Sequence, residues 1–401
     1  MGDCVDPPVS CKQLLARMIG FDTVNGCQSG RVEAERLLAE YLASVAGQWG
    51  LATQFLAVPE HAPNLLVTHE VSATGPWLLF DSHLDTVDVV GMTIDPFGGK
   101  IKGEGRDAKI YGRGACDTKG TGAAMLWALR QYAADGNGAT NIAILFSVDE
   151  EVGAAGAQAF ADVQHKQLDW APAGVVVGEP TMMELIAAAN GVVRWQIQTT
   201  GVAVHSSAPE RGRSAISDML RVVDALESKY ISGLDAEHEL TGKARCSVNM
   251  IHGGVQINIV PESCTIDIDR RLVPGEDGCS VLPAVERILN PLRTGGPGEE
   301  GVQVDQKPPW IIEPLDPAPG LRFAGQVSAV LARHGFDAKP SGVGYGTNGN
   351  VYSPVGIPTV VLGPGHIDQT HTKDEWLGLD QLRAGVKGYY SLMAESAEAW
   401  K

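Results

Sequence analysis

Five short strings in this chain place imidazoles or carboxylates just where an apolar run ends. The first, Leu79-Phe80-Asp81-Ser82-His83-Leu84-Asp85-Thr86-Val87, carries a strand-like run straight into His-x-Asp. A neutral imidazole on a rigid strand end is a good zinc ligand, and a nearby carboxylate can hold the ring's other nitrogen and fix its tautomer. Taken alone, the string reads equally as an ordinary polar turn. The second, Gly112-Arg113-Gly114-Ala115-Cys116-Asp117-Thr118-Lys119-Gly120, is a glycine-rich turn with a central carboxylate at the entrance to a helix. Glycines let the backbone approach an ion closely, and the two oxygens of an Asp can bridge two cations. A phosphate loop is the rival reading; it fails because Lys119 lies between Thr118 and Gly120, leaving no GK[ST].

The third string, Phe146-Ser147-Val148-Asp149-Glu150-Glu151-Val152-Gly153, sets two glutamates side by side. Neighbouring side chains on an extended segment diverge, so one can ligate a metal while the other faces the water bound to it. A solvated acidic loop is the plain alternative. The fourth is Val177-Gly178-Glu179-Pro180-Thr181, and the fifth is Gly363-Pro364-Gly365 leading to His371-Thr372-Lys373-Asp374-Glu375. Together these positions supply two imidazoles and three carboxylates, enough for two zinc sites that share one bridge. Cys116 reads as a small buried packing residue, since this chemistry uses activated water and a thiolate would need its own base.

The remaining composition narrows the partners. A formal net charge of −17 disfavours nucleic acid and anionic membrane, and points to a small molecule or peptide. Asp3, Asp6 and two prolines stand where a signal peptide would need positive charge and an apolar run, so a cytoplasmic location is expected. No run approaches the roughly 18 apolar residues of a membrane helix. Seven scattered cysteines without a CxxC pair fit free thiols, leaving His, Asp and Glu to hold any metal.

These residues need a scaffold, and 401 residues at 44% apolar content predict two domains. Helical spacing runs over residues 14–45, and buried strands are expected at 77–80, 142–148 and 173–177. A helix is expected over 126–134, opened by Gly120, Gly122, Ala123 and Ala124. This is an α/β pattern whose strand ends carry chemistry. Beyond residue 189 the order changes to strand (192–199), helix (214–229), two strands (246–252 and 264–272) and helix (281–289), a βαββα module. The Pro- and Gly-rich stretch 291–309 reads as its exit linker, before a helix at 323–334 and a strand at 359–362. The expected division is 1–188 and 309–401 for one domain and 189–308 for the inserted module.

With all five strings in this order over nearly its whole length, the chain resembles the M20 metallopeptidase family. That family includes acetylornithine deacetylase, succinyl-diaminopimelate desuccinylase, aminoacylase and carboxypeptidase G-type enzymes. The resemblance implies an α/β zinc-peptidase-like catalytic domain, its mixed β-sheet flanked by helices, plus an inserted α+β lid and dimerisation domain. It implies two divalent ions, Zn2+ or Co2+, one on His83 and Glu179, the other on Glu151 and His371, bridged by Asp117. Asp85 would orient His83, and Glu150 would be the general base. His205, in Gly201-Val202-Ala203-Val204-His205-Ser206-Ser207, matches a histidine that reaches the partner subunit's active site in a homodimer. Asn258 and Arg271 match substrate contacts, with an ion pair to Asp267 or Asp269 as the plain reading of Arg271. Gly346 and Thr347 fall in a loop near the substrate, in which Asn348 replaces the family's usual aspartate. That replacement weakens any case for a cationic substrate side chain such as ornithine's. The implied reaction is hydrolysis of an N-acyl amino acid or, by the same machinery, of a dipeptide or a C-terminal residue.

Overall fold

Trp77–His83 and Asn141–Ser147 are buried at every position and run parallel, with Trp77 opposite Asn141 and His83 opposite Ser147. A parallel strand covered on both faces must be apolar along its length. Leu78 to Phe80 and Ile142 to Phe146 meet that demand, and polar residues are confined to the strand ends: Asn141 at one, and Asp81, Ser82, His83 and Ser147 at the other. Pro172–Val177 pairs with the other edge of Trp77–His83, and Thr359–Val361 continues the parallel set. Antiparallel strands extend the sheet on one side through Asn64–His69 and Ala52–Leu56. On the other side come Ile186–Ala189 and Ser341–Val343, giving eight strands. Four parallel strands thus end along one rim, which is where open α/β sheets gather ligands.

This computed structural model describes residues 6–31, 33–295 and 300–401. Residues 1–5 of the amino-terminal stretch expected to lack a signal peptide, and residues 296–299 of the expected linker, lie outside them. The chain divides into two compact units. The first comprises Met1–Ala187, Leu315–Gly342 and Thr347–Lys401, and the second Ala188–Pro314 with Val343–Gly346.

In the first unit, the helical spacing over 14–45 resolves into two helices, Cys11–Ile19 and Arg36–Gln48. Gly20 caps the first, and Asn25 opens a four-residue turn by accepting from the Cys27 N–H. The helix expected at 126–134 is Lys119–Asp135 and starts directly behind Asp117. Gly120 and Gly122 are poor helix formers, yet they belong to it because packing decides here. A Cβ on Gly122 would lie 3.0 Å from the Phe146 ring and the Ser82 hydroxyl. These helices, with Pro317–Arg333 and Leu379–Met393, share one apolar core with the sheet.

The second unit contains the strand Gly191–Thr200, the helix Ala215–Ala225, the strands Arg245–Gly253 and Ser263–Leu272, and the helix Val281–Thr294. The stretch expected to be a linker is more ordered than that. The helix runs on through Pro291 to Thr294, and Gln303–Gln306 and Trp310–Ile312 each pair antiparallel with Gly191–Thr200. Val302 and Val304 anchor the first of these in the unit's core, in a segment too short and polar to show a strand period. Ser263–Leu272 alternates buried and half-buried residues, as a sheet packed on one face requires. Among the described residues no helix is long and apolar enough to cross a membrane, and Cys11, Cys27, Cys116, Cys246, Cys264 and Cys279 are free thiols.

Candidate metal centre

Beside the carboxyl ends of the parallel strands, six of the predicted residues come together in the first unit. His83 Nε2 stands 3.0 Å from one carboxylate oxygen of Asp117, and His371 Nε2 stands 3.3 Å from the other. Each oxygen of Asp117 therefore faces a different imidazole, the disposition of a bridging carboxylate. His371 Nε2 is also 3.2 Å from Glu151. Donor atoms of His83, Asp117 and Glu151 lie within 4.8 Å of one another, as do those of His83, Glu150 and Glu179.

Asp85 holds this arrangement from behind. The Nδ1 of His83 lies 3.0 Å from the Asp85 carbonyl and 3.3 Å from its carboxylate, which leaves Nε2 for a cation. The same carboxylate accepts the backbone N–H groups of Glu150 and Glu151 at 3.0 and 3.1 Å. Asn25, which sequence reasoning did not single out, donates to Asp85 at 2.8 Å and to Asp149 at 2.9 Å. Its only signal was a polar residue inside an apparently helical run. Asp149 and His371 adopt left-handed backbone (φ 63° and 52°), uncommon for residues with side chains and frequent at functional sites. Gly178 precedes Glu179 because a Cβ there would lie 2.2 Å from the Thr121 methyl group.

The charge balance is unusual for a protein interior. Burial, then the neighbouring carboxylates, pushes Glu150 up to about 8, His83 opposing. Burial and the charge of Asp117 raise Glu151, and burial with Asp117 and Glu150 raises Glu179. For Asp117, burial is outweighed by hydrogen bonds from His371 and His83, which hold it low. His371 rises to about 10 through its bonds to Asp117 and Glu151. Among the described residues, nothing donates a hydrogen bond to the carboxylate of Glu150 or Glu179. Four carboxyl groups gathered with two imidazoles out of water can all ionise only with a cation among them, which is why burial and mutual repulsion raise three of them here. The donor set of His nitrogen and carboxylate oxygen fits divalent metal ions.

The other predicted residues have separate surroundings. In the second unit His205 is exposed and its Nδ1 lies 2.8 Å from the Ser207 hydroxyl. Asn258 is exposed, its carbonyl accepting the Ser206 N–H at 2.9 Å. Arg271 makes two bonds to Asp269, at 2.7 and 3.3 Å, so a substrate carboxylate would compete with that pair. Gly346 is half-buried, while Thr347 is buried and its hydroxyl accepts the Gly349 N–H. Asn348 is buried too, donating to Asp81 and to the Ser147 hydroxyl, both at 3.0 Å. Tyr352 and Ser147 also donate to Asp81. Asn348 therefore answers to an interior carboxylate, and its neutrality gives no measure of the substrate's charge. Cys116 is buried, as a packing residue would be.

Residues 79–395 match peptidase family M20/M25/M40. A probable carboxypeptidase of Arthroderma gypseum is 30% identical over 81% of this chain and 71% of its own. The acetylornithine deacetylase of Proteus mirabilis is 29% identical over 92% of each chain. The crystal structure of aminopeptidase PepT from Bacillus cereus superposes with a TM-score of 0.73 at 19% identity, covering 97% of this chain and 99% of that one. The family match and these relatives make the chain a metal-dependent hydrolase of amide or peptide bonds. The chain belongs to the M20 peptidase family.

Proposed function

We propose that the chain binds two divalent cations, Zn2+ first among them, and hydrolyses the amide bond of an N-acyl amino acid. The observation that carries this reading is Asp117, whose two oxygens face two different imidazoles, with Glu150 beside them. His83 and Glu179 would hold one ion, Glu151 and His371 the other, and Asp117 both. Bound divalent cations lower the pKa of coordinated water from about 15.7 towards ~7 and polarise a carbonyl oxygen. Glu150 takes the proton of the attacking water and returns it to the leaving amine. Asp85 keeps the His83 tautomer and the Glu150 backbone in place through the bonds described above.

In this reading His205 stabilises the tetrahedral oxyanion from the partner subunit of a cytoplasmic homodimer, and Arg271, Asn258, Gly346 and Thr347 contact the substrate. The second unit would serve as lid and dimerisation domain. Among the described residues its edge strand Arg245–Gly253 pairs on one side only, and Met250, Ile251, Val255 and Ile257 are exposed on and after it. Unpaired strand edges invite a second chain. Hydrolysis of a C-terminal residue is the second reading, favoured by the probable carboxypeptidase among the relatives. A screen of zinc-loaded protein on acetyl-, succinyl- and aminoacyl-amino acids separates the two. Turnover of acyl substrates with none of dipeptides supports deacylation, and the reverse supports the peptidase.

A further inference from the structure

We propose that Glu375 is a positioning residue that sets the place of Asp117 relative to His371; the inference rests on the reading of Asp117 as a bridging ligand. Glu375 lies four residues beyond His371, immediately before the short strand Trp376–Gly378. Its carboxylate is completely buried, and both oxygens are used. Oε1 accepts the N–H groups of Cys116 at 2.8 Å and Asp117 at 3.0 Å. Oε2 accepts the Gly114 N–H at 3.0 Å and Arg113 Nη1 at 2.8 Å. The Glu375 carbonyl accepts the Gly112 N–H at 3.0 Å.

The turn over residues 112–117 is thus wound around one anion. Successive backbone N–H groups curved towards a common point form a concave anion seat. The curve depends on Gly114, whose φ is +78° and whose absent Cβ would lie 2.9 Å from Lys119 and from Thr86. Arg113 closes the loop on the other side, donating to the carbonyls of Asp88 at 2.9 Å and Thr372 at 3.4 Å. One end of this network is the residue after His371, and the other is the N–H of Asp117 itself. It therefore governs the 3.3 Å separation between His371 Nε2 and Asp117.

A structural glue would need only shape and burial, and an apolar side chain could supply both. Four donors converging on two oxygens need an acceptor-only group, which a carboxylate is and an amide is not. Glu375→Gln keeps the volume but turns an N–H2 towards an N–H or the guanidinium. We expect this variant to fold, with metal-free melting within a few degrees of wild type, and to bind Zn2+ about 10- to 100-fold more weakly. The visible absorption of its Co2+ form should change, because the coordination geometry shifts. In Asp117→Asn, adding Glu375→Gln should cost no further affinity. Wild-type Zn2+ affinity and Co2+ spectrum in Glu375→Gln, with affinity lost in Asp117→Asn, would overturn the inference and leave the ligand assignment standing. Wild-type affinity in Asp117→Asn would remove the assignment and this inference with it. If Glu375→Gln does not fold, Arg113→Lys takes its place: it keeps the charge, loses the fork, and should show the same spectral change, whose absence again overturns the inference.

Discussion

The two ends of the donor cluster use the same side-chain types but hold them differently. His83 rides on a central strand, its side chain 1% exposed, with its second ring nitrogen engaged by Asp85. His371 sits on a loop in left-handed backbone, its side chain 50% exposed. Ladder hydrogen bonds and close packing fix the first, and the bonds of Glu375 and Arg113 fix the second. The difference teaches that a buried ligand can be placed by the sheet, whereas one open to solvent needs a dedicated polar brace. It also gives the cluster a closed side and a side by which a substrate can enter.

The largest expected effect separates the two glutamates between those sides. Glu150→Gln should retain both ions and lose on the order of 10²- to 10⁴-fold in kcat, while Glu151→Ala should lose metal as well. Elemental analysis beside kinetics decides it, and equal losses of both in the two variants would dissolve the division of roles.

On the closed side, Asn348→Asp would put a second carboxylate 3.0 Å from Asp81, whose pKa burial already raises to about 6 against three hydrogen bonds. Two such groups cannot both ionise, so the pair keeps one proton in the folded state well above the unfolded value of about 4. The variant then keeps its stability near pH 4 and loses it as pH rises through the folded pKa. We expect about 3 kcal/mol of destabilisation at pH 8, read by denaturant melts, with recovery in Asp81→Asn/Asn348→Asp. A pH-independent loss would mean that packing, not charge, is at stake.

The smallest effect sharpens the comparison itself. His83→Ala should abolish tight binding at the closed side and weaken the open one through Asp117, whereas His371→Ala should leave one ion bound. Acid should release metal from wild type, because the ligand His371 holds its proton up to about 10 in the metal-free protein and must shed it to bind a cation. Calorimetry at pH 6 and 8 measures both; equal affinities at the two pH values, or equal behaviour of the two variants, would remove the asymmetry.

Much of this was legible without coordinates. Apolar runs mark the parallel strands because a strand covered on both faces admits little else, and the ligand-type residues follow them because a rim is the nearest place for polar groups. The order of the five strings therefore carried both the fold class and the donor set. Tertiary structure decided what depends on neighbours distant in the chain. Asn25 and Glu375 show no local pattern, since their partners lie 60 and about 260 residues away. Asn348 reads as a missing charge beside a substrate until its amide is seen on Asp81. The strand Gln303–Gln306 is too short to show a period, and exists because Gly191–Thr200 offers it an edge. Periodicity records which face of an element is buried, whereas hydrogen bonds between remote segments leave no spacing in the sequence to read.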